Sequence, residues 1–360
     1  MRILVYGISN QKGGISEFMM GINQELIQND LSFDYIIKGQ DSIYEEKIKK
    51  FGGKVFYYNY TNFINRITNI YKIIKDNRKD HKIFYYNNSG VYFIFPLLFA
   101  YLFGYKIISH AHSGGIQDLK LIYRILNRVN GLFLNFASKL KFQCSKIAGE
   151  WVFGKAKDVI QINNTIDIER FSYNETMRAT KRKELGIKDD EIVLISVGRV
   201  EYPKNQKFLI DMINNLNRES SKKYTLFLVG PGDDIAPLKA YAKSLELNNV
   251  NFLGSRNDVS ELLNAADIFL LPSFYEGFPI VSVEAQASGL TCILSDKITD
   301  EANITGLVTY LPIDDPKIWA DHVEAIKVSK RKKYDDVLIS RGFSKEYINN
   351  TILNYINSLK

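Results

Sequence analysis

The sequence contains little cysteine and no long uninterrupted hydrophobic run. Cys144 and Cys292 are the only cysteines among 360 residues, and both stand in apolar surroundings, which excludes a disulfide framework and indicates a reducing compartment. The most apolar stretch, residues 91–105, is shorter than the roughly 20 residues that a membrane-spanning helix needs, and Pro96 interrupts it. It predicts a core helix, with a face dipping into a membrane interface as the alternative. The apolar run at residues 1–7 is too short for a signal peptide and predicts a strand.

Length and composition predict a globular protein with two domains. A chain of 360 residues exceeds what one hydrophobic core usually accommodates, and 46% hydrophobic with 24% charged residues is typical of soluble proteins. A polar stretch near the middle predicts the linker between the domains. We place the first domain at residues 1–171, the linker at 172–190 and the second domain at 191–342, with a C-terminal helix at 343–360.

The positive charge is concentrated in the first half of the chain. Residues 1–180 contain 24 Lys and Arg against 15 Asp and Glu, whereas residues 181–360 contain 23 against 25. This asymmetry predicts that the first half faces an anionic surface, such as lipid headgroups or a pyrophosphate-linked molecule, with a simple solubility charge as the alternative. Nucleic acid fits less well, because no dense Lys/Arg stripe with interleaved aromatic residues is present.

Residues 266–295 carry the most specific pattern, a strand, a helix and a second strand in succession. The loop before the helix carries Glu276, Pro279 stands at the first helical position, and the helix contains Glu284. Ligands in such sheets bind at the carboxyl ends of strands, beside helix N-termini. At 1.5 Å per residue the two glutamates would lie about 7–8 Å apart along the helix axis. That separation suits a grip on two parts of one elongated ligand better than a close acid–base pair.

This stretch resembles the signature of a known enzyme family. Residues 276–290, EGFPIVSVEAQASGL, are similar to the E-x7-E segment of the retaining glycosyltransferases of family four, and residues 291–302 resemble the branch that builds bacterial capsule and exopolysaccharide. The resemblance implies the GT-B fold, an α/β fold of two Rossmann-like domains facing each other across a cleft, with the C-terminal helix crossing back to the first domain. It also implies that Glu276 holds hydroxyls of the donor sugar and Glu284 those of the ribose. It implies further donor contacts in the same segment, at Gly277, Phe278, Pro279 and Ile280. The alternative is a solvated helix face with ordinary glutamates.

A second motif follows the apolar strand predicted at residues 192–197. Gly198-Arg199 and Lys204-Asn205 resemble the family's G-R…K-[GN] element, in which the arginine and lysine grip the donor diphosphate. The chemistry supports this reading independently, because two cations and a helix N-terminus stabilise the charge of a leaving nucleoside diphosphate without a metal. Ordinary surface salt bridges are the alternative. The resemblance also implies that Arg256, at a later strand end, contacts the nucleotide base.

A glycine loop follows the first predicted strand. Residues 8–14 end in Gly13 and Gly14, which open a helix, and such a loop presents backbone N–H groups to an anion. The pattern is neither a P-loop nor a G-x-G-x-x-G fingerprint. The resemblance implies that the glycines approach the donor phosphates or the acceptor, and an ordinary strand-to-helix turn is the alternative.

His110 and His112 follow the strand predicted at residues 106–109. Residues two apart on a strand share a face, so a metal site is one reading, with Asp118 as the nearest carboxylate. A core histidine is another. The resemblance favours a third, in which His112 hydrogen-bonds the donor sugar and acts in catalysis and His110 contributes to donor binding. We predict no metal.

The features together predict a metal-independent, retaining hexosyltransferase. The resemblance implies that it moves a hexose or N-acetylhexosamine from a nucleotide diphosphate sugar, with UDP as the predicted nucleotide, to a growing lipid-linked glycan of a bacterial surface polysaccharide. The nucleotide sugar is a substrate, so no cofactor is expected. We predict a cytoplasmic location at the inner face of the plasma membrane, with peripheral contact through the basic first half.

Other functions stay open on the sequence alone. The same fold could support a nucleotide-sugar epimerase or hydrolase, or a non-catalytic partner subunit. A nicotinamide dehydrogenase is disfavoured, because Asp34, about 20 residues past the glycine loop, lies inside a strand pattern rather than at its end. A double displacement, as in retaining glycosidases, would need two carboxyl groups about 5 Å apart. The spacing of the glutamates therefore favours front-face substitution.

Overall fold

The computed structural model describes residues 1–11, 13–115, 119–328 and 330–359. The chain divides into two units, Met1–Thr165 with Lys345–Lys360, and Ile166–Ser344. Each unit contains its own parallel sheet. Within the described ranges, no helix is long and apolar enough to cross a membrane.

The first unit alternates strands with helices. Its strands are β1 (Arg2–Tyr6), β2 (Ser32–Lys38), β3 (Val55–Tyr58), β4 (His81–Asn88), β5 (Lys106–Ala111), β6 (Ser138–Gln143) and β7 (Val159–Gln161). Its helices up to β7 are α1 (Gly14–Leu26), α2 (Glu45–Lys50), α3 (Phe63–Asp76), α4 (Phe95–Leu102), α5 (Leu121–Ala137) and α6 (Lys146–Phe153). The parallel strands lie in the order β3-β2-β1-β4-β5-β6-β7. Helices cover such sheets on both faces, which explains the nearly continuous apolar runs of the central strands.

The second unit repeats this plan. Its strands are β8 (Glu191–Val197), β9 (Lys223–Val229), β10 (Val250–Gly254), β11 (Ile268–Leu271), β12 (Thr291–Ser295) and β13 (Val308–Leu311). Its helices are α7 (Ile168–Phe171), α8 (Glu175–Glu184), α9 (Gln206–Glu219), α10 (Ile235–Ser244), α11 (Val259–Ala265), α12 (Ile280–Ala287), α13 (Pro316–Ala325) and α14 (Asp335–Ser340). The parallel order is β10-β9-β8-β11-β12-β13. The winding of the two sheets reverses between β1 and β4 and between β8 and β11, and a crevice opens at the carboxyl ends of the strands at such a switch point.

The C-terminal helix α15 (Lys345–Ser358) belongs to the first unit. Ile348, Ile352 and Ile356 lie four residues apart, so they share one face of the helix and are buried in the core that covers the first sheet. The ring of Tyr355 packs edge-on against Phe142 of β6, with centroids 5.7 Å apart. The amphipathic C-terminal helix thus completes the hydrophobic core of the first unit, after the chain has passed through the second unit.

Residues 172–190 differ from the linker that their polar composition predicts. They contain α8, which belongs to the second unit. Arg178 and Arg182 of this helix bind the buried carboxylate of Asp267, at 2.6 and 3.1 Å, and the backbone N–H of Val193 donates to the same carboxylate at 2.8 Å. The two arginines of this segment therefore form an ion cluster with Asp267 inside the second unit, and the segment is not a linker.

Residues 91–105 contain α4, as the core-helix prediction requires. Leu97 and Ala100 are fully buried, whereas Tyr101 and Leu102 at the end of the helix are exposed. One side of the stretch therefore belongs to the core, and its last turn reaches the surface.

Candidate functional site

Two loops meet at the switch point of the second sheet. The first follows β8 and runs from Gly198 to Asn205, and the second follows β11 and leads into α12. The backbone N–H of Phe274 donates to the carbonyl of Pro203 at 3.0 Å. The side-chain amide of Asn205 donates to the carbonyl of Pro272 at 3.3 Å. These hydrogen bonds hold the loops together and bring their polar side chains into one place.

Lys204 and Glu276 form an ion pair across these loops. The ammonium nitrogen Nζ lies 2.5 Å from the carboxylate oxygen Oε1, and the hydroxyl of Ser273 donates to the same oxygen at 2.8 Å. The lysine and glutamate side chains are 21% and 12% exposed, so the pair is shielded but still accessible to a ligand. No hydrogen bond to the second oxygen, Oε2, is recorded within the described part of the chain, which leaves that oxygen as an acceptor for a ligand hydroxyl.

Glycine is required where the backbone crosses beside this pair. Gly230, which follows β9, has φ +139°, and a Cβ there would lie 2.0 Å from the carbonyl oxygen of Gly198. Gly198 has φ +157°, and a Cβ there would face the Lys204 side chain, with Cε at 3.5 Å. Only glycine adopts both backbone angles readily, and at Gly230 any side chain would also clash with the backbone that follows β8. The glycines therefore allow the loops after β8 and β9 to pass in direct contact.

The two predicted arginines differ in their availability. Arg199 is 63% exposed and pairs only loosely with Glu201, at 3.8 Å, so its guanidinium group can reach an anion. Arg256 instead makes a bidentate pair with Asp258, at 2.8 and 2.6 Å, and this carboxylate raises the pKa of Arg256. The positive charge of Arg256 is thus already compensated within the protein, which weakens its predicted role as a base contact.

Glu284 lies in the second turn of α12, whereas Glu276 lies in the loop before the helix. A rise of 1.5 Å per residue therefore does not describe the separation of the two carboxylates. Burial raises the pKa of Glu284 to about 7, although the charge of Arg170 acts in the opposite direction. A carboxyl group that titrates near neutral pH at the edge of a crevice is typical of functional sites.

The residues between the two glutamates mainly contribute packing. Phe278 stacks on Phe343 with ring centroids 5.9 Å apart, and Ile280 packs against the same hydrophobic core. Pro279 immediately precedes α12, where the sequence predicts the start of a helix. Both side chains are only partly buried, and the segment also offers a ligand its backbone and the N-terminus of α12.

His110 and His112 lie at the end of β5 in the first unit, with ring centroids 3.9 Å apart. His112 pairs with the side chain of Asn87, Nε2 to Oδ1 at 2.8 Å, and His110 pairs through Nδ1 with the hydroxyl of Tyr85 at 2.9 Å. Burial lowers the pKa of both rings, that of His112 to about 3. His110 is fully buried and is a core histidine rather than a donor contact. His112 is partly exposed and remains a candidate for the predicted hydrogen bond to the donor sugar.

The glycine loop leads to the N-terminus of α1. Gly13 has extended backbone, and no side chain caps the helix there. A Cβ on Gly13 or Gly14 would meet nothing within 4 Å. The glycines therefore leave open space beside the first N–H groups of the helix. Residue 12 of the loop lies outside the described residues.

A metal finds no obvious ligand set in the described ranges. No group of three His, Cys, Asp or Glu side chains is close enough there to hold an ion, and Asp118 lies outside the described residues. Asp34 lies inside β2, where it pairs with Arg2 and His81, each at 2.6 Å. This position differs from the strand end at which a dinucleotide-binding fold places its ribose-binding acid.

The sequence analysis missed an aromatic cluster at the carboxyl edge of the first sheet. The ring of Tyr6 stacks on those of Tyr58 and Tyr86, with centroids 6.4 and 5.8 Å away. The guanidinium group of Arg66 lies 5.3 Å from the ring of Tyr60. The signal was the repeated Tyr-Tyr-Asn at residues 57–59 and 85–87, close to two strand ends. Tyrosine rings beside a cation suit ligands that carry both sugar rings and phosphate groups.

Comparisons with known proteins agree with this architecture. Residues 177–307 match the family described as glycosyl transferases group 1. The chain is 28% identical to the putative glycosyltransferase EpsF of Bacillus subtilis, over 96% of this chain and 94% of that protein. It is also 28% identical to the UDP-Gal:alpha-D-GlcNAc-diphosphoundecaprenol alpha-1,3-galactosyltransferase of Escherichia coli, over 64% of this chain and 61% of that protein.

A solved structure shares the whole fold. Anabaena HepE in complex with UDP and glucose matches with a TM-score of 0.81 and 19% identity, over 99% of this chain and 100% of that chain. At this level of identity the likeness shows the fold. It confirms the predicted α/β architecture of two Rossmann-like domains.

Proposed function

We propose that this chain, whose residues 177–307 match the glycosyl transferases group 1 family, moves a hexose or N-acetylhexosamine from a UDP-sugar to a hydroxyl of a growing lipid-linked glycan, with retention of configuration. The UDP donor is inferred from the UDP bound to HepE. The lipid-linked acceptor is inferred from the diphosphoundecaprenol substrate named for the E. coli relative. The product would enter a bacterial surface polysaccharide, and the enzyme would act in the cytoplasm at the inner face of the plasma membrane.

The Lys204–Glu276 pair at the switch point is the observation that carries this proposal. We assign the diphosphate to Lys204 and Arg199, and the hydroxyls of the donor sugar to Oε2 of Glu276. The ribose hydroxyls are assigned to Glu284 on the adjoining helix. When the bond to the sugar breaks, negative charge develops on the departing diphosphate, and cations held in place beforehand stabilise that charge. No metal or cofactor is assigned a role, because the two side-chain cations supply the positive charge.

Retention of configuration follows in this proposal from front-face substitution. A double displacement would need a free carboxylate nucleophile with a second carboxyl group about 5 Å away. The bonds from Lys204 and Ser273 hold Glu276 as a charge-compensated hydrogen-bond acceptor, which lowers its nucleophilicity. We therefore infer that the acceptor oxygen attacks the anomeric carbon on the face from which UDP departs. The bond from the anomeric carbon to the diphosphate oxygen breaks, and the departing diphosphate takes the proton of the acceptor hydroxyl.

The first unit is assigned to the acceptor, and three of its residues keep their predicted roles in donor binding. We retain His112 as a neutral hydrogen-bonding group for the sugar, and Gly13 and Gly14 as backbone donors to phosphate. The aromatic cluster around Tyr6 with Arg66 adds a surface that can bind a glycan joined to a pyrophosphate. The excess of basic over acidic residues in the first 180 residues favours such an acceptor.

Glu276→Gln is the direct test of this assignment. The variant should lose transfer, and wild-type protein incubated with donor should show no sugar adduct by intact-mass analysis. A matched control is Glu219→Gln, which breaks the exposed pair with Lys317 and should leave transfer unchanged. A glycosyl adduct on Glu276 of the wild type would overturn the front-face mechanism, and full activity of Glu276→Gln would overturn the site.

A further inference from the structure

Helix α5 turns its largest apolar side chains toward solvent. Ile122, Ile125, Val129, Leu132 and Phe136 are all exposed, Leu132 and Phe136 at 70% and 71%. Their spacing alternates between three and four residues, so they form one continuous apolar stripe. The helix has 17 residues, and the stripe from Ile122 to Phe136 is about 21 Å long at 1.5 Å per residue.

The opposite side of α5 is fixed to the protein by small and polar residues. The buried residues of the helix are Asn127, Gly131, Leu134 and Ala137. The side chain of Asn127 accepts from the backbone N–H of Val91 at 2.6 Å and donates to the carbonyl of Trp151 at 2.7 Å. A Cβ at Gly131 would lie 2.9 Å from a backbone oxygen of α6. Rotating the helix to bury its apolar stripe would break these contacts. The contacts of Asn127 and Gly131 therefore hold the stripe in its exposed orientation.

The end of α4 extends the apolar stripe sideways. Tyr101 and Leu102 are exposed, and the ring of Tyr101 packs edge-on against Phe133 and at a tilt against Phe136, with centroids 5.5 and 5.6 Å away. We use the name α5 surface for the five residues of the stripe together with Tyr101 and Leu102. Scattered single apolar side chains are normal on proteins, but a contiguous patch of this size marks an interaction site.

The charges beside the α5 surface select the kind of partner. Arg124 and Arg128 are exposed on α5, and Lys120 is exposed immediately before the helix. Residues 119–149 contain no aspartate or glutamate. An apolar stripe with basic flanks and no acid is complementary to anionic lipid, whose headgroups attract the cations while the acyl boundary takes up the apolar side chains. A second copy of the chain fits less well, because it would bring identical cations together across the contact.

We propose that the α5 surface docks the protein on an anionic lipid membrane, with α5 lying in the plane of the interface and its apolar stripe inserted. The proposal deepens the proposed function, from which it takes the lipid-linked acceptor. Docking needs no turnover, however, so the two can be tested apart. Side chains on such a helix enter the headgroup and acyl boundary by about 5–10 Å.

Co-flotation of the full chain with vesicles tests the docking. One set of vesicles is pure phosphatidylcholine, and the other contains about 30% phosphatidylglycerol, whose negative headgroups attract basic segments. The test variants are Ile125→Gln/Val129→Gln/Leu132→Gln, which removes the middle of the stripe, and Arg124→Gln/Arg128→Gln. The matched controls lie in the second unit and are Ile318→Gln/Val337→Gln/Ile339→Gln and Arg218→Gln/Lys243→Gln, all at exposed positions.

The wild type and both controls should float with the anionic vesicles and much less with neutral ones, and added salt should weaken the binding. The apolar triple variant should bind at least tenfold more weakly, and the arginine variant should lose its preference for anionic vesicles. Equal binding of the triple variant and the wild type would overturn the proposal. So would a wild type that ignores vesicles but dimerises through α5, since the surface would then be a protein interface. UDP binding by the triple variant, which should be unchanged, shows that its fold and the donor site are intact. Loss of docking with UDP binding retained therefore cannot be mistaken for failure of the proposed transferase function.

Discussion

Replacing Glu276 with glutamine should tighten the binding of UDP while abolishing transfer. In the free protein the carboxylate of Glu276 compensates the charge of Lys204, at 2.5 Å, and it stands beside the proposed position of the diphosphate. UDP lacks the sugar that Glu276 is proposed to hold. The variant therefore loses no contact to UDP. It leaves the charge of Lys204 uncompensated and removes one negative charge from beside the diphosphate.

The magnitude follows from the charges involved. Two unit charges about 5 Å apart interact by about 3 kcal/mol at an effective dielectric constant of 20, and screening by salt and water leaves about 1 kcal/mol at an accessible site. Glu276→Gln should thus bind UDP about fivefold more tightly. Lys204→Met should act in the opposite direction, because a charge-assisted hydrogen bond to the diphosphate contributes about 1.5–3 kcal/mol, which corresponds to binding about 10–150-fold weaker.

Isothermal titration of UDP into the wild type, the two single variants and the double variant is the assay. Uridine serves as the ligand without charge, and its affinity should be the same in all four proteins. If Glu276→Gln weakened UDP binding as much as Lys204→Met does, the glutamate would be supporting the lysine rather than competing with the diphosphate, and the reasoning above would be refuted. An unchanged affinity in Lys204→Met would remove the lysine from the diphosphate site.

Three further predictions concern stability. Gly230→Ala places a Cβ 2.0 Å from a carbonyl oxygen at φ +139° and should lower the free energy of unfolding by about 2 kcal/mol or more. Gly21→Ala, on a helix with open space around the new Cβ, should raise the free energy of unfolding by about 0.5–1 kcal/mol. Urea titrations measure both changes. Asp267→Asn leaves the buried Arg182 and the partly buried Arg178 without their carboxylate and should cost about 3–5 kcal/mol. The exposed Asp190→Asn should cost less than about 1 kcal/mol in the same assay. Burial raises the folded pKa of Glu284 to about 7 from 4.5, so its contribution to stability is full below pH 4.5 and is lost as the pH rises to about 7. The free energy of unfolding of the wild type minus that of Glu284→Gln should therefore fall over this pH range. A difference that does not change with pH would contradict the burial of the carboxyl group.

The central strands could be predicted from the sequence because burial on both faces leaves a clear apolar run. Residues 268–271 and 291–295 form β11 and β12, the two strands predicted within residues 266–295. The edge strands β3 and β13 gave no such signal, since each has one neighbouring strand and is only partly buried. The first half of β6 (Ser138–Gln143) carries no continuous apolar run either, because lysines alternate with its other residues.

The candidate site was predictable in its residue types but not in its pairings. The topology of a doubly wound sheet brings the loops after β8 and β11 together, but the ion pair between Lys204 and Glu276 joins positions 72 residues apart, and sequence spacing carries no information about it. The outward face of α5 was equally hidden. An apolar stripe normally predicts a buried face, and only the contacts of Asn127 and Gly131 decide that this one faces solvent.

UDP release from a panel of UDP-sugars, with and without a membrane extract that supplies lipid-linked acceptors, tests the central claim most directly. The account predicts release with one donor sugar and only when the acceptor is present. Glu276→Gln should release nothing under the same conditions. Turnover of the donor without any acceptor would contradict the account and indicate an epimerase or hydrolase.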